Sequence, residues 1–264
     1  MPSPKSAGFP SAAQAALLFV ALFLCEVVMA AALRDANGWL GLNTLQIGVL
    51  SAVLGNGCVF AVVMHRQQLS YRQLFHPSAS SAGAMLMLVV PPVLLLVPAL
   101  LLVLTGAMQL LALLVPPSGW EAAYFSRMAD GSVAAVLAVC VMAPLLEEML
   151  FRGIVLRGFL QRYARWQAIF LSALLFGAAH MNIYQFVVGF AMGCVLGWLY
   201  ERTRSLIPCI VLHAAYNGAT LLLADRLDAL TPSRLLGAAA VALAAGAFGL
   251  LALRAMLLPG RRRT

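Results

Sequence analysis

Charge is what this chain of 264 residues has least of: 10% of it is Asp, Glu, Lys or Arg, against about 25% in an ordinary soluble domain. Only nine residues are acidic, and lysine occurs once, at Lys5. That scarcity excludes a water-soluble fold. The complementary 63% hydrophobic content excludes disorder, because so much apolar surface outweighs the entropy of ordering. The five cysteines (Cys25, Cys58, Cys140, Cys194, Cys209) include no C-x-x-C pair and lie in apolar runs, so they read as packing residues. The net charge of +8 comes almost wholly from arginine, 16 of 17 cations. Those arginines punctuate apolar runs instead of clustering on one soluble face, which excludes a nucleic-acid partner and reads as a membrane topology signal.

Long apolar sequence is abundant. A helix needs roughly 20 apolar residues to cross about 30 Å of hydrocarbon. Eight segments serve: Ala12 to Leu33, Thr44 to Met64, Ala82 to Val115, Ser132 to Tyr163, Gln167 to Met181, Ile183 to Tyr200, Leu206 to Ala224 and Leu235 to Leu258. The first exceeds the core of a signal peptide and reads as a retained span. The third is too long for one straight span, and Pro91, Pro92 and Pro98 mark a kink, a division in two or an interfacial piece. With eight spans, eleven loop and terminal cations, including Lys5 and the Arg261 to Arg263 tail, share one side, against four on the other. The positive-inside rule then places both termini in the cytoplasm. The expectation is a single all-α, polytopic domain over residues 1–264, in a bacterial inner (plasma) membrane with lipids as its surroundings.

A charge near the bilayer centre costs roughly 2.5–3.5 kcal/mol, so those found there need partners or a task. Span 4 carries Glu147, Glu148 and Arg152, span 5 carries His180, and span 7 carries His213 and Asn217. Counted from the arginines at the helix ends at 1.5 Å per residue, Glu147 and His180 lie about 22 Å deep, His213 about 14 Å and Asn217 about 20 Å. Three helices thus place polar side chains in one slab. Glu148 and Arg152, four apart, pair on one helix face. Glu147 is rotated about 100° away, and a desolvated carboxylate beside a second anion suits proton transfer. Glu147 and His180 could hold a water between them, while His213 and Asn217 donate to a developing oxyanion. The bland alternative is a packing pair, Glu148 with Arg152, and histidines bonded between helices.

These residues resemble the three motifs of the CPBP family, the CAAX-prenyl-protease and bacteriocin-processing intramembrane proteases also called Abi. E-E-x-x-x-R matches Glu147, Glu148 and Arg152; F-x-x-x-H matches Phe176 and His180; H-x-x-x-N matches His213 and Asn217. The likeness covers residues of about 130 to 225, the expected catalytic core. It implies an eight-helix glutamic endopeptidase, with Glu147 and His180 activating water, His213 and Asn217 forming the oxyanion hole, and Glu148 and Arg152 in support. The partner it implies is a membrane-tethered or lipid-modified protein or peptide, cut near its C-terminal region. No cofactor is expected, although Glu147, Glu148, His180 and His213 offer the donor types of a zinc site. The helix-borne H-E-x-x-H motif is absent. The arginine-rich composition looks bacterial, where an exported protein suits the substrate better than a prenylated one.

Two readings from other classes compete: a non-catalytic scaffold or bacteriocin self-immunity protein that keeps the fold, and a proton-coupled transporter. The second calls for an inverted repeat, and none is visible. Glu26 in span 1 either reaches the outer surface or borders the cavity. Arg254 snorkels to the interface, Gly189, Gly193 and Gly197 form a close-packing stripe, and Trp120 and Tyr124 are interface anchors.

Overall fold

A computed structural model describes residues 8–128, 132–227 and 231–258, and every regular element among them is helical. In chain order these are α1 (Ala12–Asp35), α2 (Thr44–Gln67), α3 (Ala82–Leu94), α4 (Val97–Leu114), α5 (Val133–Phe159), α6 (Arg165–Ala179), α7 (Ile183–Thr203), α8 (Ile207–Leu227) and α9 (Pro232–Leu257). Short helices Asn37–Leu40, Tyr71–Phe75 and Gly119–Met128 lie in the connections. By length and composition α1, α2, α4, α5, α7 and α9 can each cross a membrane, while α3, α6 and α8 are shorter apolar helices. Lys5 and the Arg261 to Arg263 tail lie outside the described residues, as does the side chain of Tyr124.

Local chemistry sets the ends. Ser11 with Gln14, and Asn43 with Gln46, form reciprocal capping boxes at the starts of α1 and α2. The long third segment divides at Leu95 and Leu96. Pro98 falls in the first turn of α4, where its missing N–H is harmless, and it has no N–H to return to the carbonyl of Leu94.

The chain forms two compact units, one made of residues up to Pro77 with Leu145–Glu201, the other of Ser78–Pro144 with the chain from Arg202 onward. In the first, α1 packs along α2 and α6 along α7. The glycine stripe of α7 has the expected use: a Cβ on Gly193 would sit 2.8 Å from Cα and Cβ of Ala173, and one on Gly189 would sit 3.1 Å from Cα of Gly177. Gly193→Ala is therefore expected to destabilise by about 1–3 kcal/mol through overpacking. Gly237→Ala in α9, with nothing within 4 Å, is the matched control and should be neutral or slightly stabilising. Unfolding titrations in mixed micelles measure both.

In the second unit, α9 lies against α3 and α4, with Gly246 over Ala99 and Gly249 over the Pro92 carbonyl. Its other face keeps Leu236, Val241 and Phe248 exposed, surface that lipid tails cover.

Candidate active site

Helix α5, which bears the paired glutamates, is not uniform. It widens into π-helical turns over Ala138–Met142 and again over Met149–Leu156. A π turn moves the backbone bond from the fourth to the fifth residue and is common where a helix carries function. Each widened stretch has one carbonyl taken by a side chain from another helix of its own unit. Ser172 Oγ donates to the Phe151 carbonyl at 3.1 Å, and Asn217 Nδ2 donates to the Val139 carbonyl at 2.9 Å. In hydrocarbon, where no water is available, such donors permit the irregular turns. The sequence expectation of one ideal helix to Tyr163 is corrected here. The helix ends at Phe159, and π turns rise less per residue, so the 22 Å depth reckoned for Glu147 is an overestimate.

In the first unit Glu148 and Arg152 of E-E-x-x-x-R join both residues of F-x-x-x-H in one connected cluster. Glu148 and Arg152 are both fully buried, with Arg152 Nη1 donating to Glu148 Oε1 at 2.8 Å. Arg152 Nη2 donates to the Gly193 carbonyl at 3.3 Å, and its guanidinium lies 4.5 Å from the centre of the Phe176 ring. A cation over an aromatic face is attractive, the more so when desolvated. Phe176 meets Phe151 edge-on at 5.1 Å and His180 edge-on at 5.3 Å. The four-residue spacing of F-x-x-x-H thus stands the imidazole one helical turn above a ring that is itself held by Arg152.

The display of His180 depends on the turn after it. His180 follows the last residue of α6, Met181 takes a left-handed φ of 50°, and Asn182 caps α7 by accepting from the backbone of Tyr184 at 3.0 Å and Gln185 at 3.1 Å. His180 Nδ1 lies 3.0 Å from the Phe176 carbonyl. A carbonyl only accepts, so in the neutral ring Nδ1 carries the proton and Nε2 keeps its lone pair for another partner. An open depression of about 240 Å³ beside this turn is lined by Gly177, Ala178, Met181, Asn182, Ile183 and Phe186.

Glu147 is half-buried and lies close enough to Glu26 on α1 to act on it electrostatically. Glu26 is not directed only to the outer surface: it accepts a hydrogen bond from Asn56 Nδ2 at 3.0 Å. In the second unit, His213 is buried and Asn217 half-buried on α8, four residues apart on one face. One amide proton of Asn217 is committed to Val139, and the other remains for a further acceptor.

Ser172, Gly193, Asn182 and Asn56 were not anticipated as site residues. A polar residue inside an apolar span was the available signal for Ser172 and Asn56; nothing marked the Gly193 carbonyl. For the zinc alternative, no three His, Cys, Asp or Glu among the described residues are grouped to hold a metal ion, and Glu148 Oε1 is engaged by Arg152.

This is an all-helical integral membrane protein with a carboxylate pair, an arginine and a histidine gathered on adjacent helices. Residues 129–219 match the family model described as type II CAAX prenyl endopeptidase, Rce1-like, and that segment holds all three motifs. The chain is 34% identical over 86 residues to an uncharacterized 24.3 kDa protein of Escherichia coli, and 27% identical over 82 residues to the Bacillus subtilis protein named "Putative membrane peptidase YdiL". It is also 33% identical over 82 residues to the UPF0177 protein YaiF of Lactococcus lactis. Each alignment takes in 31% of this chain and spans 40%, 34% and 36% of those proteins respectively. No solved structure matches the chain.

Proposed function

We propose that this protein is an intramembrane endopeptidase that hydrolyses a peptide bond near the C-terminal region of a membrane-tethered or lipid-modified protein. The observation that carries the reading is the run from buried Glu148, Arg152 and Phe176 to half-buried His180, which spends an ion pair, a backbone carbonyl and an aromatic ring on holding one imidazole. A cluster that only packed helices would not need a histidine at its end, and intramembrane charges by default signal function.

In this reading Glu147 takes a proton from water as its oxygen attacks the scissile carbonyl carbon, and His180 orients that water through Nε2. The carbonyl oxygen becomes an oxyanion that accepts hydrogen bonds from His213 and Asn217. The C–N bond then breaks, and the proton held by Glu147 passes to the leaving amine. A positioned general base contributes roughly 10²–10⁴-fold and an oxyanion donor about 10²–10³-fold. No step is routed through a metal ion.

The test is the full chain in proteoliposomes with a library of membrane-anchored peptides, some lipidated at a cysteine near the C-terminus, and cleavage read by mass spectrometry. Cuts at a defined bond near the anchor are expected; an intact library overturns the reading. Cleavage should also persist after dialysis against excess EDTA. Loss on chelation that zinc alone restores would recast Glu147 and His180 as metal ligands.

A further inference from the structure

A third carboxylate lies at the depth of Glu147. Glu26 occupies the middle of α1, fourteen residues after Ala12 and nine before Asp35, about 21 Å and about 13 Å from the two ends. Its partner Asn56 lies mid-way along α2, buried, with its amide nitrogen 3.0 Å from Glu26 Oε1 and 2.9 Å from the Ala52 carbonyl. The two helices meet closely here, since a Cβ on Gly55 would sit 2.6 Å from Cγ of Glu26. A carboxylate and an amide facing one another at the centre of two membrane spans are too costly to be incidental.

The register of α1 against the end of α5 fixes their level. The backbone N–H of Ala12 donates to Tyr163 Oη at 3.0 Å, Arg162 donates to the Gly8 carbonyl, and the Phe9 carbonyl covers Gly158. The start of α1 is thereby level with the end of α5, and the two helices run in opposite directions. Fourteen residues along α1 from Ala12 reaches Glu26, and sixteen residues back from Tyr163 reaches Glu147. At 1.5 Å per residue Glu26 climbs about 21 Å, and Glu147 climbs less than the roughly 24 Å of an unbroken α-helix because of the π turns, so the two come to within about a helical turn of the same height. The charge interaction between Glu26 and Glu147 agrees with that register.

We propose that Glu26, fixed by Asn56, is a positioning residue for Glu147: its carboxylate stands at the same level and orients the Glu147 carboxyl toward the reacting water. The proposal rests on the reading of Glu147 as the base. Glu26 itself touches neither water nor substrate in this scheme. Asn56 holds one of its oxygens, and a second carboxyl group at this level disfavours a Glu147 rotamer turned toward α1.

Glu26→Gln keeps the shape and a hydrogen-bonding partner for Asn56 and replaces the carboxyl group by an amide. On the library peptide cleaved fastest by the full chain in proteoliposomes, kcat is expected to fall about tenfold with KM within about twofold, while Glu26→Asp recovers much of the loss. An unchanged kcat, or a fall that simply follows the folded fraction in a thermal melt, overturns the proposal. Carbodiimide modification of the same proteoliposomes, read at Glu147 by peptide mass spectrometry, needs no turnover. Its rate should change at least about threefold in Glu26→Gln if the two carboxyls face one another. If the wild-type chain cleaves nothing, the endopeptidase reading fails by itself, and an unchanged labelling rate at Glu147 additionally overturns the juxtaposition.

Discussion

Glu147→Gln is expected to abolish hydrolysis of the library peptides, with kcat lowered about 10³-fold or more, because an amide cannot take the proton from the attacking water. The fold should survive. Glu147 is half-buried, the buried ion pair of Arg152 is with Glu148, and Gln keeps the size and hydrogen-bonding atoms of Glu. Kinetics in proteoliposomes alongside an unfolding titration separates loss of chemistry from loss of protein. Retained turnover in this variant, with Glu148→Gln inactive but folded, would move the base to the second glutamate.

Arg152→Met should produce the largest loss of stability of any single change at the site. Arg152 is fully buried, and its removal deprives Glu148 of a 2.8 Å partner, the Gly193 carbonyl of a 3.3 Å donor and the Phe176 face of its cation. Breaking a buried pair from one side strands the other charge and costs about 3–5 kcal/mol. Replacing both partners, as Glu148→Leu with Arg152→Met, should regain most of that stability, since apolar groups of similar volume leave nothing to be desolvated. Activity should stay low in the double variant, because Phe176 and through it His180 lose their support. Equilibrium unfolding in mixed micelles reads the first effect and peptide cleavage the second. A loss below about 1 kcal/mol for Arg152→Met alone would mean the pair is incidental to the fold.

These two predictions differ in how far the residues themselves announced them. The Glu148–Arg152 pair was legible from a four-residue spacing, since i and i+4 share a helix face whatever surrounds them. The task of Phe176 was not. A phenylalanine in an apolar span carries no signal of its own, and only the packing of α5 on α6 shows it lying between a guanidinium and an imidazole. Ser172 and Asn217 make the same point from the opposite side. Both are polar residues in apolar helices, and both satisfy carbonyls in π turns that no periodicity in α5 foretold. Their donors matter because a widened turn in hydrocarbon has no water to fall back on.

Composition and the run lengths of apolar residues by themselves determined that this chain is helical and resides in a bilayer, because backbone groups in lipid must be satisfied within each segment. The order and spacing of E-E-x-x-x-R, F-x-x-x-H and H-x-x-x-N likewise singled out seven residues with no coordinates at all. Tertiary structure alone decided that α5 widens on either side of the stretch that carries its acids, that Arg152 also serves Gly193 and Phe176, and that Glu26 and Asn56 meet midway along their helices. Those are contacts between residues up to about forty positions apart, or between helices whose rotation about their own axes is set by packing. A one-dimensional pattern reports which side chains share a helix face, but not which face of which neighbour they meet.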